Sequence, residues 1–488
     1  MFRNYSTYSA LLLVAYIAVI AGVGYTVTRR AKERNSEEYF LAGRSLGWFT
    51  IGASVFVTTI SWGWFLGLND FGSTREGFTG WGGILGCVFA LILGTLVMPK
   101  LSGGFPYTVQ QVLVRRFNEM TGILLSTISI LFNLVVRIPL ALIGGGWILQ
   151  FLFGWDMLSS AMLIIIVTGL YTIAGGFAAV VYTQVFQAFV VLAASAVLVV
   201  VGLWSDGNAV SPMVSRLSSL PDLTASTEAM AWPALVVSAF IIGIWFWCAD
   251  QYVVQRLFGA RSIQLARKGS MGAAWLLLLE SVLLFGVATR SPGASLTVGL
   301  AGMPEAAAGI IALAFLALVM STLASAFHST ATLFAIDFYR TLRPSAAESQ
   351  VVLAGRLSAT AVVVMAILIA SISSLVGVGT VRWMQQVPAD IAPPVSAVIV
   401  LGLTWKRVNG KGALWGLIIG EAAGLAHFLL SQSGRDATPW LPSDTLPVAG
   451  LLFVATALVA IVVSRLTESG AELASVGHVD GGVQVKKL

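Results

Sequence analysis

Residues 47–68 read GWFTIGASVFVTTISWGWFLGL, and residues 320–340 read MSTLASAFHSTATLFAIDFYR. Both stretches are apolar enough to lie in a bilayer, yet both are interrupted by groups that a plain spanning helix avoids. The first carries Gly47, Gly52, Gly63 and Gly67 and a polar knot of Thr58, Thr59 and Ser61. In lipid, an interrupted helix is tolerated only where its freed backbone groups line a cavity. In transporters such carbonyls coordinate sodium, and half-helix ends face the solute. Small residues also serve close helix packing, so the stretch alone leaves both readings open. In the second stretch Ser321 and Thr322 are adjacent hydroxyls, and Ser325 lies one turn on from Ser321, on the same face. Two hydroxyls with three backbone carbonyls would form an oxygen cage suited to a hard cation. The same hydroxyls can instead bond back to their own helix.

Composition says what surrounds these stretches. Of 488 residues 57% are hydrophobic and 10% charged, against about 25% charged in a soluble globular domain. A water-facing surface needs more charge than this, so lipid is the solvent for most of the chain. Apolar runs at 8–28, 48–69, 80–99, 120–152, 156–175, 178–204, 231–257, 269–290, 303–340, 352–376, 383–404, 412–431 and 447–465 predict about thirteen transmembrane helices. They are continuous rather than alternating, which excludes a barrel. The runs at 120–152 and 303–340 exceed one bilayer thickness and must tilt or extend beyond it.

The net charge of +6 reflects topology rather than a nucleic-acid partner. When alternate loops are assigned to the cytoplasm, starting at 29–47, they and the C-terminus hold 21 of the 28 Lys and Arg. That bias predicts an N-terminus outside and a C-terminus inside. The expected layout is an extra helix and loop over 1–47, a first unit over 48–204 and an exterior loop at 205–230. A second unit follows over 231–404, then two further helices over 405–466 and a disordered tail at 467–488.

Charges inside spans are costly and mark function or internal pairing. Arg137, in LFNLVVRIPLALIGGG (131–146), would meet either a solute carboxylate or an internal acid, with Asp250, Glu280, Asp337, Asp390 and Glu421 as candidates. His328 reads as a core histidine. Cys87 and Cys248 lie in apolar runs and suggest neither a disulfide framework nor a zinc site. No metalloprotease or nucleophile-elbow motif stands in a suitable setting, so an enzyme is not expected.

Five pieces carry a resemblance: EEYFLAGRSLGWFTIGAS (37–54), LYTIAGGFAAVVYTQVFQ (170–187), WCADQYVVQRLFGARS (247–262), STLASAFHSTATLFAIDFYR (321–340) and LTWKRVNGKGALWGLIIG (403–420). In this order and spacing the chain resembles the solute:sodium symporter family, the sodium/glucose branch above all. The resemblance covers about residues 8–465. It implies an all-α polytopic protein with a LeuT-like fold of 5+5 inverted repeats. It also implies sodium-coupled symport of a small solute by alternating access, in a cell membrane and as a monomer.

The resemblance further implies a sodium site of the Val57, Ile60 and Leu318 carbonyls with the Ser321 and Thr322 hydroxyls. Two departures accompany it. Gln184 stands where the family has an acid, and Ala324 where a second sodium would need a hydroxyl, so one sodium per cycle is expected. The sugar-contacting positions fall on Thr59, Trp64, a glycine at 80 or 83 and Leu277, and only Gln385 keeps the family residue. With Phe246 at the inner-gate position and Trp247 beside it, the expected pocket is aromatic and apolar. A sugar or polyol is the first expectation for the solute. A small carboxylate or amino acid held by Arg137, or a sensor that binds without transporting, are the rivals.

Overall fold

The computed structural model describes residues 7–30, 35–60, 81–101, 103, 106–204, 231–288, 305–373, 378–432 and 445–467. The exterior loop expected at 205–230 and the tail beyond residue 467 lie outside them. The described residues are almost wholly helical. The one bridge between extended segments among them joins Leu46 to Ala260.

In chain order the helices are α1 (Thr7–Arg30), α2 (Ser36–Leu41), α3 (Trp48–Thr59), α4 (81–101), α5 (Val109–Arg116), α6 (119–153), α7 (Met157–Trp204) and α8 (231–249). They continue as α9 (Gln251–Phe258), α10 (Ile263–Ala288), α11 (305–342), α12 (Glu348–Ser373), α13 (Val378–Thr404), α14 (Gly410–Gln432) and α15 (Thr445–Leu466). Polar caps start several of them. Asn35 accepts from the Glu38 amide at 2.8 Å, Thr108 from Gln111 at 3.2 Å and Asn118 from Thr121 at 2.8 Å. Each satisfies an amide that a helix start leaves without a partner.

Nine helices among the described residues are long and apolar enough to cross a membrane, and the bent pair α8–α9 makes ten. The sequence expectation of about thirteen counted differently at three places. Helix α7 has 48 residues and would be about twice as long as a bilayer core is thick. It is broken at Gly176, whose φ of 56° and ψ of −153° are not helical and divide it into two helical legs. A Cβ there would stand 2.7 Å from the Tyr39 carbonyl oxygen, so the break requires glycine. Helix α3 is a short apolar helix of 12 residues. Helix α10 carries Arg267, Lys268 and Glu280 and falls outside the count.

Helix α11 is the hub, with nearly every residue from Ala307 to Leu333 buried. It packs along α7, α6 and α12, while α10 packs on α3 and α4, and α13, α14 and α15 pack on one another. Four helices contain a wider π turn, at Leu93–Val97, Asn133–Arg137, Ile244–Ala249 and Phe334–Tyr339. Such turns gather at functional sites, and here they carry Arg137, Phe246, Trp247 and Asp337.

Candidate functional site

Helix α3 ends at Thr59, and Ile60 leaves it in an extended conformation, φ −77° and ψ 109°. Carbonyls of a last turn have no helical donor, and the C-terminal end of a helix favours a cation. The Val57 and Ile60 carbonyls therefore belong to a helix end suited to sodium. The side chains around this end are buried: Val57 is 0% exposed and Ile60 3%.

Helix α11 supplies the other half. Ser321 is fully buried and Thr322 nearly so. The Thr322 hydroxyl donates to the Leu318 carbonyl at 2.9 Å, which places two of the expected ligands side by side. Tyr252 ties the two halves together: its hydroxyl donates to the Thr58 carbonyl at 3.3 Å and also interacts with Thr322. The Thr58 hydroxyl oxygen is buried without a hydrogen-bond partner among the described residues. The end of α3 and the hydroxyls of α11 are thus brought to one place.

Beside Ser321 lies a polar network that the sequence reading did not assemble. The Gln184 amide oxygen accepts from Ser54 at 2.6 Å and from Arg256 at 3.2 Å. Its nitrogen donates to Ser321 Oγ at 3.1 Å and to Ser325 Oγ at 2.7 Å. Arg256 also donates to Ser54 Oγ at 2.9 Å, to Ser325 Oγ at 2.5 Å and to the Tyr252 carbonyl. It is 1% exposed. Arg256, at the edge of the run predicted at 231–257, is one of the 21 basic residues that the topology count assigned to the cytoplasmic side. The structure corrects this, because α9 continues at a 43° bend after Asp250 and all its residues, Arg256 among them, are buried in the bundle. A charge in a short polar stretch is read as a loop signal, and nothing local distinguishes a buried guanidinium from a solvated one.

Arg137 meets an internal acid. Its Nη2 lies 2.5 Å from Asp250 Oδ2, a second nitrogen donates to Asn133, and its guanidinium stands 3.9 Å from the Tyr252 ring centroid. Both partners are buried, with side chains 9% and 4% exposed. The other candidate acids are held elsewhere: Asp337 by Thr108 and Ser126, each at 2.8 Å, Glu280 by Ser195 at 2.6 Å, and Asp390 by His427 at 2.7 Å. Glu421 makes no ion pair with Arg137 among the described residues. His328 is a core residue, as expected. Its ring stacks on Phe177 at 5.3 Å and packs beside Tyr39 and Phe40.

The expected solute pocket is only partly described. Trp64 lies outside the described residues, and so does the side chain of Gln385, whose backbone belongs to α13. The Thr59 hydroxyl bonds back to Val55 at 2.9 Å. Phe246 and Trp247 form an edge-to-face pair at 5.8 Å, with Phe246 leaning on Tyr252 at 6.3 Å. Trp247 and Leu277 both close on Gly86 of α4. The described wall is aromatic and aliphatic, with Tyr252 shared between it and the sodium-type oxygens. Sequence reading missed Tyr252, although it lies within the quoted DQYVVQR piece. Its role arises from contacts to α3 and α11 that no local pattern encodes.

Known proteins share the family and the fold. Residues 39–420 match the family described as Sodium:solute symporter family. Sodium/glucose cotransporter 2 of Rattus norvegicus is 30% identical, over 86% of this chain and 71% of its own length. Sodium/glucose cotransporter 4 of Mus musculus is 29% identical, over 95% of this chain and 76% of its own. The sodium/mannose cotransporter of Bos taurus is 29% identical, over 91% and 82%. Among solved structures, a Na+-coupled sialic acid symporter superimposes with a TM-score of 0.79 at 19% identity, covering 95% of this chain and 98% of that one. The fold is thus that of the LeuT-type sodium symporters.

Proposed function

The chain belongs to the sodium:solute symporter family, and on that premise we propose that it carries a small hydroxylated solute, a sugar or related polyol, into the cell together with one sodium ion. It is a multi-pass membrane transporter, and sodium is its coupling ion. The observation that carries the proposal is the junction at Tyr252, which joins the end of α3 to Thr322 of α11.

Sodium binds the Val57, Ile60 and Leu318 carbonyls and the Ser321 and Thr322 hydroxyls. In doing so it ties α3 to α11. Because Tyr252 also touches Phe246, ordering the ion site orders the pocket wall. The two ligands then bind cooperatively, each raising affinity for the other. Thr59, Trp64, Phe246, Trp247 and Gln385 line the solute pocket. Phe246 closes it by stacking, without a hydroxyl. The protein sits in the plasma or inner membrane with its N-terminus outside. The membrane potential contributes about 2.3 kcal/mol per charge per 100 mV to each inward sodium.

Support for a sugar-like solute comes from the named relatives, which are sodium/glucose and sodium/mannose cotransporters. A carboxylate held by Arg137 is disfavoured, because that guanidinium already has a buried carboxylate at 2.5 Å. The test is uptake into proteoliposomes of labelled hexoses, inositol, amino acids and small carboxylates under an inward sodium gradient, with potassium as control. Sodium-dependent accumulation of a hexose or polyol is expected. Accumulation restricted to amino acids or carboxylates would overturn the solute class, and equal uptake under potassium would overturn sodium coupling.

A further inference from the structure

A second buried polar cluster lies in the C-terminal helices and takes no part in the sodium or solute sites. His427 Nδ1 of α14 and Asp390 Oδ1 of α13 are 2.7 Å apart, with side chains 5% and 2% exposed. Three further oxygens of this region, Asp390 Oδ2, Glu421 Oε1 and Thr456 Oγ1, are buried without a hydrogen-bond partner among the described residues.

The sequence explains why polar groups collect here. Pro393 and Pro394 lie inside α13 and have no N–H to give. The carbonyls of Ala389 and Asp390, four residues earlier, therefore lose their helical donors. Helix α14 meets this nick through glycines. A Cβ on Gly424 would collide with the Asp390 carbonyl, and one on Gly420 with Thr456 Oγ1 and Pro394. The α14 backbone thus closes on the proline break, beside the Asp390–His427 pair.

Charge accounting gives the cluster its chemistry. An aspartate–histidine pair is neutral only when it holds one proton. With none it leaves a buried carboxylate without a cation, and with two it leaves a buried imidazolium beside a neutral acid. An unbalanced charge inside a membrane bundle is costly. Among the described side chains, the elements packed on α13 and α14 offer no compensating charge here. Helix α15 carries Arg465 only at its end, and α8 carries Cys248 alone. Arg137 is paired with Asp250, and Arg116 is bound to the carbonyls of Gly402, Trp405 and Val408. Glu119 and Lys411 stand at the starts of their helices. Arg115 of α5 donates to the Gly103 carbonyl at 2.7 Å, and Glu421 is the remaining titratable group among the described side chains of these helices. Among the described residues no three His, Cys, Asp or Glu side chains converge as a metal would require.

We propose that Asp390 and His427 form a proton-binding site, separate from the sodium and solute sites, whose occupancy governs how α14 packs on α13. Helix α13 also contacts the π turn that bears Phe246 and Trp247, so the state of the pair reaches the pocket wall. The proposal does not depend on which solute is carried. Its ligand is the proton, and histidine is the side chain whose charge changes between pH 5 and 8.

The test uses the full chain in lipid nanodiscs. Its thermal unfolding midpoint is measured across about pH 5 to 9, without solute, for the wild type, His427→Gln and the double variant Asp390→Asn with His427→Gln. The double variant keeps a hydrogen-bonding pair that cannot titrate. The expected result is a wild-type midpoint that moves with pH and a double variant in which at least half of that movement is lost. Superimposable pH profiles would overturn the proposal. Should the double variant fail to fold, His427→Gln alone decides. A changed profile shape supports the site, whereas a uniform drop at every pH shows a merely structural contact and overturns it.

Discussion

The Arg256 guanidinium donates to the amide oxygen of Gln184 at 3.2 Å, and the nitrogen of the same amide donates to Ser321 Oγ at 3.1 Å. A buried fixed cation is thus one side chain away from a proposed sodium ligand. Among the described residues its partners are neutral: two hydroxyls, one amide and one carbonyl. Replacing Gln184 by Glu gives Arg256 a carboxylate and turns a negative group toward the ion. The half-saturating sodium concentration for uptake should fall on the order of tenfold, since two charges a few ångströms apart interact by a few kcal/mol at the effective dielectric of a protein. Unchanged sodium dependence would remove Gln184 from the electrostatics of the site.

Thr322→Ala deletes one proposed ligand and the hydroxyl that meets Tyr252. Losing a single polar contact of about 1–2 kcal/mol corresponds to roughly a tenfold higher half-saturating sodium concentration. Sodium-dependent thermal stabilisation measures this without knowledge of the solute. A sodium response equal to wild type would dismiss the residue as a ligand.

Tyr252→Phe keeps the ring beneath Arg137 and removes only the hydroxyl that reaches the Thr58 carbonyl. Folding should be retained, while coupling between sodium and solute weakens. The diagnostic is the ratio of solute affinities with and without sodium, which should shrink several-fold. An unaltered ratio would show that the junction does not transmit.

Arg137→Gln strands Asp250 as a buried carboxylate. Removing one partner of such a pair costs about 3–5 kcal/mol, so the unfolding midpoint should drop clearly. Combining it with Asp250→Asn should recover most of the loss. If the single variant instead folds normally and loses only the uptake of an anionic solute, Arg137 contacts the solute rather than the scaffold.

Gly176→Ala places a Cβ against the Tyr39 carbonyl in a backbone conformation that L residues rarely adopt. Strain of about 1–3 kcal/mol is expected, read as a lower unfolding midpoint with sodium affinity unchanged in the folded fraction.

Several of these features were legible in the chain itself. Long apolar runs and sparse charge dictate a helical membrane protein, because lipid leaves backbone groups no partner outside a helix. The gap between the runs at 156–175 and 178–204 marked the break within α7, and the polar knot at 58 and 59 marked the end of α3. The five ordered motifs pointed to the family. These signals are local: each depends on a residue and its neighbours within a few turns.

Partner choice was not legible. Five acids could have met Arg137, and the structure selects Asp250. The break before α9 carries Arg256 inward, where hydropathy alone would leave it in water. Asp390 and His427 are 37 positions apart, and they meet because a proline nick on one helix receives glycines of another. Each of these depends on which helix faces meet. Helix packing is governed by shape and by the satisfaction of buried polar groups across the whole bundle, and neither is written in the periodicity of a single segment.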